Sequence, residues 1–446
     1  MDSEALTVVL IVLLGAACCF PFLRARREGA EVDVFELVYP STAYFFLLFV
    51  VRGVYTLSLG SAFIIPPVDL ATRRALNLAF AYLFPALAAF YTGYYGTYAS
   101  RLARWLPDLP ARWSASRLAS WGWAATAAGT ASYLLLIQSL GGFSVYLSSK
   151  SEALTAAGTS YLAIGNSLLP AIFTISVSQW ASGGSGYVGN LLLVLPPMLF
   201  LSATSGSKGA FLTPLLVAIV VHHYLRAKTR VRLLLGLAAA ALVAIPIFNV
   251  YRHVPDIQLL WSYVGDSVSG APAAEFLTHQ WMSRFYGVDA LALIIRDTPE
   301  VMDYQFGNTV YPLLVAWVPR QLWEDKPIVS FGKVFGETYL GEHFAGTGVS
   351  ASATIVGEGY LNFHIPGMLA AAFLLGLGLR LAYEWLITRN RGGPGVFLYA
   401  TLFLPLATAW EAPIAGLVSY LLALGAVALT LTVLFASRRS APPAVE

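Results

Sequence analysis

Between Leu118 and Leu225 the chain carries only three formally charged side chains, Lys150, Glu152 and Lys208. A soluble domain of ordinary composition has about a quarter of its residues charged, so a stretch this poor in charge belongs in a bilayer. The whole chain agrees, with 57% of its 446 residues hydrophobic and 11% charged. Its mean hydropathy is +0.68. The two cysteines, Cys18 and Cys19, are adjacent and carry no message about redox compartment.

Apolar runs long enough to cross roughly 30 Å of hydrocarbon fall at 6–23, 37–59, 75–95, 118–137, 159–179, 187–203, 210–225, 233–250, 366–386, 395–411 and 415–436. The expected fold class is therefore all-α: a polytopic membrane helix bundle of about 11 spans. Residues 352–365 are a candidate for a further membrane-embedded or re-entrant segment. No cleaved leader is expected, because MDSEA lacks a basic residue and the first apolar run ends in Arg24, Arg26 and Arg27.

Basic residues set the orientation. Arg24, Arg26 and Arg27 follow the first run; Arg101, Arg104, Arg112 and Arg117 the third; Arg226, Lys228, Arg230 and Arg232 the seventh; Arg389 and Arg391 the ninth; Arg438 and Arg439 the last. All fifteen fall on one side of an eleven-span layout, which makes that side cytoplasmic. The N-terminus is then outside and the C-terminus inside, with Arg73 and Arg74 as outward exceptions. Three regions result: 1–250 with spans 1–8, 251–350 as a large external, partly helical region, and 351–446 with a lead-in segment and spans 9–11.

Several classes are excluded at this level. The sequence has no Walker A motif, dinucleotide-binding glycine pattern or metal-ligand cluster, and its cytoplasmic loops are too short for a nucleotide-binding domain. The pI near 8.7 comes from short basic loops rather than from a nucleic-acid surface. His222 and His223 read as an interfacial pair at a helix end, not as metal ligands.

Chemistry is expected in 251–350, which holds eleven of the 24 acidic and six of the 27 basic residues. The run Glu275–Arg296 has helical periodicity, with Phe276, Trp281, Phe285, Leu291 and Ile294 on an apolar flank and His279 and Arg284 to one side. It reads either as a helix on the membrane surface or as the wall of a substrate pocket. Further on, Pro312, Pro319 and Pro327 divide the chain into short pieces that place Arg320 and Lys326 beside Trp317 and Trp323. Two cations next to two indoles suit a phosphate and a sugar ring, although Glu324 and Asp325 are equally placed to neutralise them.

Glu358, Tyr360, Asn362 and His364 lead into the ninth run, at or just below the outer surface. A carboxylate there is costly without a partner; Arg284, Arg320 or a substrate hydroxyl are the candidates. Lys208, in Ser205–Gly209, is either a phosphate nest on a glycine turn or a lysine reaching for the interface. Glu411 and Arg52 are further ionisable groups near membrane depth, each open to structural pairing.

With RQLWEDKP at 320–327, GEGYLNFHIPG at 357–367 and the SGSKG turn at 205–209, the chain resembles the O-antigen polymerase, or oligosaccharide repeat-unit polymerase, family of bacterial inner membranes. The family often has a glycine soon after the asparagine–phenylalanine pair, where His364-Ile-Pro stands here, and an arginine where this chain has Lys208. The resemblance implies a GT-C-like membrane glycosyltransferase acting on undecaprenyl-pyrophosphate-linked oligosaccharides at the external face, with no cofactor, metal or nucleic acid. It further implies catalytic roles for Glu358, His279, Arg320 and Arg284, and substrate binding by Lys208, Lys326, Tyr286, Trp317, Trp323, Tyr360, Asn362 and His364. Membrane lipids and a polysaccharide chain-length regulator are the implied partners. An O-antigen ligase fits the same layout; a transporter of lipid-linked glycans fits less well, since it needs a polar route through the whole bilayer.

Overall fold

The structure, a computed structural model, describes residues 3–59, 70–148, 162, 165–205, 208–253, 277–278, 280–282, 284–315, 318, 323, 331–339 and 351–437. In chain order the helices begin with α1 (Ser3–Ala17), α2 (Phe20–Glu28), α3 (Val38–Phe45), α4 (Arg52–Leu59), α5 (Leu70–Tyr95) and α6 (Tyr98–Ala103). Next come α7 (Ala115–Ser139), α8 (Phe143–Ser148), α9 (Leu168–Ala181), α10 (Tyr187–Thr204), α11 (Lys208–Leu225) and α12 (Val231–His253). The last are α13 (Gly287–Asp297), α14 (Phe331–Tyr339), α15 (Ile355–Tyr383), α16 (Gly393–Ala407) and α17 (Ile414–Phe435).

Each of the eleven apolar runs overlaps a helix. Among the described residues, seven helical stretches are long and apolar enough to cross a membrane: Glu4–Glu28, Val38–Ser58, Ala71–Ala103, Tyr187–Thr204, Val231–Phe248, Ile355–Arg389 and Ile414–Phe435. Among the described residues there is no β-sheet, only an isolated bridge between Trp113 and Ala436. The protein is thus an all-α, multi-pass membrane helix bundle. Its contacts divide it into two compact units: Met1–Leu106, Met282–Trp385 and Phe403–Leu424 form the first, and Pro107–Trp281, Leu386–Leu402 and Gly425–Glu446 the second.

In the first unit α5 lies along α15. In lipid, helices gain little from burying apolar surface and adhere through close packing, which small residues permit. A Cβ on Gly93 would strike the Phe373 carbonyl, and one on Gly376 the Phe90 carbonyl, so the two backbones meet at these glycines. Between α3 and α4 the chain widens into a π-helical turn, Phe46–Val51, that ends directly before Arg52.

α15 is not straight. Phe363 (φ −141°, ψ 31°) and His364 (φ 55°, ψ −146°) leave helical geometry. Gly359 then lies against the backbone of Gly367 and Met368. In a continuous helix residues eight apart are about 12 Å distant, so the chain turns back sharply at this corner. The segment 352–365, singled out from sequence as a possible re-entrant piece, is a short helix folded onto the start of the longer one.

The second unit is tied by polar contacts between apolar helices. Tyr133 donates its hydroxyl hydrogen to Tyr146 at 3.0 Å and lies 2.6 Å from the Thr204 hydroxyl, beside buried Leu136 and Ile137. Trp113 Nε1 donates to Ser178 Oγ at 2.8 Å. Past the end of α11, Thr229 N donates to His223 Nδ1 at 3.0 Å, so this histidine fastens a loop.

Candidate functional site

In the first unit, Arg284, Tyr44 and Glu358 meet at the bend that precedes α17. Arg284 donates from Nη1 to Glu411 Oε1, and the Tyr44 hydroxyl donates to Glu411 Oε2. The Glu411 side chain is 14% exposed and that of Arg284 42%. The remaining N–H groups of Arg284 make no hydrogen bond to the described residues. One carboxylate therefore fixes the guanidinium, and the rest of its donor fork is unengaged among the described residues.

Three residues after Glu411, Ile414 N donates to Glu358 Oε2 at 2.6 Å. Glu358 is fully buried in the first turn of α15, whose N-cap Thr354 accepts from Gly357 N at 3.0 Å. Its carboxylate thus sits at the start of two helices, α15 and α17, where unpaired N–H groups and the positive dipole ends favour an anion. Oε1 has no hydrogen bond among the described residues, although the Thr309 hydroxyl faces the carboxylate. The arginine partner considered from sequence is absent among the described residues; helix N-termini take its place.

Two residues after Arg284, the Tyr286 hydroxyl accepts from Ser352 N at 2.6 Å. Burial raises the pKa of this phenol, against the lowering effect of that N–H. Arg284, Tyr286 and Glu358, all expected at the site, are therefore linked through Ser352–Thr354 on one side and Glu411–Ile414 on the other.

The expected helix over Glu275–Arg296 is corrected. Residues 284–286 are not helical, and α13 starts only at Gly287. Every residue from Gly287 to Ile295 is buried, so this part is an internal helix, not one lying on a membrane surface. Asp289 explains it. Arg52 donates from Nε to Asp289 Oδ2 at 2.9 Å and also from Nη2, while the Thr56 hydroxyl donates to Oδ1 at 3.2 Å. Arg52 Nη1 donates to the Met282 carbonyl at 2.6 Å. Both charged side chains have no exposure, and such groups stay in a core only when paired.

Asn362 also has a different setting from the one expected. Its Oδ1 accepts from Gly307 N at 2.7 Å, and its Nδ2 donates to Thr309 Oγ1 at 2.7 Å and to the Glu358 carbonyl at 2.8 Å. At 2% exposure it pins the loop 305–309 onto α15 and has no free face for a sugar. Tyr360, also buried, stacks on Tyr82 with ring centroids 6.1 Å apart and meets the His364 ring at a tilt, with centroids 4.6 Å apart. His364 is exposed at the corner of α15, with Tyr304 edge-on at 5.8 Å. Its positive φ is a conformation that side-chain-bearing residues adopt at a cost.

Trp323 is described and 38% exposed. His279, Trp317, Arg320 and Lys326 lie outside the described residues, as does the side chain of Lys208 at the start of α11. Tyr44, Asp289 and Tyr304 were missed from sequence. Asp289 had a legible signal, the single acid inside the apolar run VDALALII; Tyr44 and Tyr304 had none.

Compared with family models, with curated proteins and with solved structures, the chain matches none.

Proposed function

We propose that the protein is a glycosyltransferase of bacterial inner membranes that polymerises undecaprenyl-pyrophosphate-linked oligosaccharide repeat units. In this reading a hydroxyl at the non-reducing end of a new lipid-linked unit attacks the anomeric carbon of the growing glycan. The bond from that carbon to the pyrophosphate breaks, undecaprenyl pyrophosphate departs, and the hydroxyl proton passes to a base. The leaving group is already anionic, so the protein's main tasks are to place two lipid-anchored reactants and to stabilise the charge on the departing pyrophosphate.

Arg284 carries this reading: a guanidinium anchored by Glu411 within a membrane bundle, yet 42% exposed, is suited to an anionic group arriving from a lipid. Arg320, Lys326 and Lys208 are further candidates for the pyrophosphate, and His279 for the base. Glu358, fully buried, is assigned here as a positioning residue that fixes the Glu411–Ile414 bend behind Arg284. His364, exposed and with half-buried Tyr304 edge-on to it, offers ring surface to sugars, and Trp323, 38% exposed, is a further candidate.

Deleting the gene and restoring it with variants tests the proposal. Loss of the protein should leave normal lipid capped with single repeat units; complete unattached chains would instead indicate a ligase, and units retained inside the cell a transporter. Arg284→Ala should lower the polymerisation rate by about 10²–10³ at unchanged membrane abundance, the usual effect of removing a donor that stabilises transition-state charge. Full-length product at the normal rate would remove Arg284 from the site.

A further inference from the structure

We propose that the second unit carries a binding site for anionic phospholipid, whose acyl chains lie along α12 and whose phosphate is held by an arginine collar around the turn between α11 and α12. From Val231 to Phe248, a stretch long and apolar enough to cross a membrane, Pro246 is the only buried residue. Leu233, Leu235, Leu242 and Val243 are among the large apolar side chains that this stretch exposes. A membrane helix so bare on its flanks is covered either by lipid chains or by another helix.

The charges at the start of α12 decide between these. α11 ends at Leu225 and α12 begins at Val231, which sets Arg226, Arg230 and Arg232 at one end of the helix pair, all three exposed. Exposed Arg391 joins them from the segment before α16, since its Nε donates to the Tyr224 carbonyl at 3.3 Å, at the end of α11. Arg226 lies over the Trp180 ring, its Cζ 4.5 Å from the centroid. An indole face under one guanidinium and a carbonyl on the Nε of the other hold both planes in place. Among the described residues, the Arg226 side chain makes no hydrogen bond or ion pair, and neither Nη of Arg391 makes one.

Carboxylates do not balance this end of the pair. Asp108 is the one acidic residue among the described residues of the second unit, and Arg389 holds it at 2.8 Å. Two copies inserted in the same direction and docked through α12 would set one basic end against the other, and like charges brought together oppose association. An anionic headgroup meets the excess instead, and a guanidinium edge grips its phosphate oxygens in pairs. A choline head brings a fixed cation of its own into the same collar, so it is the poorer match. The site belongs to the second unit and does not depend on the transferase assignment.

Native mass spectrometry of the purified full-length protein, titrated separately with dioleoyl phosphatidylglycerol and dioleoyl phosphatidylcholine, tests it. The glycerol lipid should be retained about tenfold better, as expected where several arginines each attract an anionic head. Combining Arg226→Ala with Arg391→Ala should remove that preference and leave retention of the choline lipid unchanged, a result that a misfolded variant does not give. Arg101→Ala, at an exposed position on α6 of the first unit, should alter neither lipid. Equal retention of the two lipids by the unaltered protein, a preference that survives the double variant, or an equal loss in Arg101→Ala overturns the proposal. A dimer whose formation excludes the glycerol lipid also overturns it, by putting a second copy on α12.

Discussion

Arg52 and Asp289 stand 237 positions apart in sequence and share one hydrogen-bonded pair with no solvent exposure. Removing one member leaves the other as an uncompensated buried charge, whereas replacing both by apolar residues of similar size removes the desolvation cost together with the attraction. Asp289→Ala is therefore expected to lower stability by about 3–5 kcal/mol, and the double variant Arg52→Met with Asp289→Leu to regain most of that loss. Unfolding of the detergent-purified proteins, arranged as a double-mutant cycle, measures the coupling; simple additivity of the two changes would show that the pair is not a unit. The cost of a charge at Arg52 was visible from sequence because membrane depth makes any ionisable group conspicuous. The identity of its partner was not, since nothing in local sequence ties residue 52 to residue 289. Glu358 teaches the same point from the other side: the need for a partner was legible, but the partner is a backbone N–H at the start of another helix.

At the scale of helices, the close approach of α5 and α15 rests on glycines whose neighbours differ sharply. A methyl group on Gly376 would meet the Phe90 carbonyl and the Tyr94 nitrogen, both backbone atoms that cannot turn aside, whereas one on Gly378 meets nothing within 4 Å. Gly376→Ala should thus destabilise the protein by about 1–3 kcal/mol. Gly378→Ala should be neutral, or stabilising by up to about 1 kcal/mol through the gain in helix propensity. Melting temperatures of the two variants, taken side by side, decide it, and equal values would mean that the helices separate easily at this contact. Helix existence was readable from apolar runs, since lipid forces the backbone to satisfy its own hydrogen bonds. The register of helix against helix was not, because Gly376 and Gly378 look alike until Phe90 is placed beside one of them. α13 escaped for a related reason: its periodicity suits a surface helix and a core helix equally, and only Arg52 and Leu48, close against Asp289 and Gly287, decide between them.

For the molecule as a whole, the basic residues fix a proposed direction of insertion that the transferase reading requires. If Arg226–Arg232 and Arg389–Arg391 are cytoplasmic, then Arg284 and the loop 298–310 open to the outside, where lipid-linked repeat units await polymerisation. Inserting a helix with its positive flank outward opposes the membrane potential and the attraction of anionic inner-leaflet lipids, each acting on every one of those charges. Single cysteines test this in a background carrying Cys18→Ser and Cys19→Ser, since Cys19 is exposed and would otherwise react. Asp303→Cys, at an exposed position on the loop after α13, should be labelled by a membrane-impermeant maleimide in intact cells. Lys228→Cys, exposed between α11 and α12, should react only after the membrane is broken. The reverse pattern would place Arg284 on the cytoplasmic side, where no polymerisation of exported units can occur, and would overturn the transferase reading.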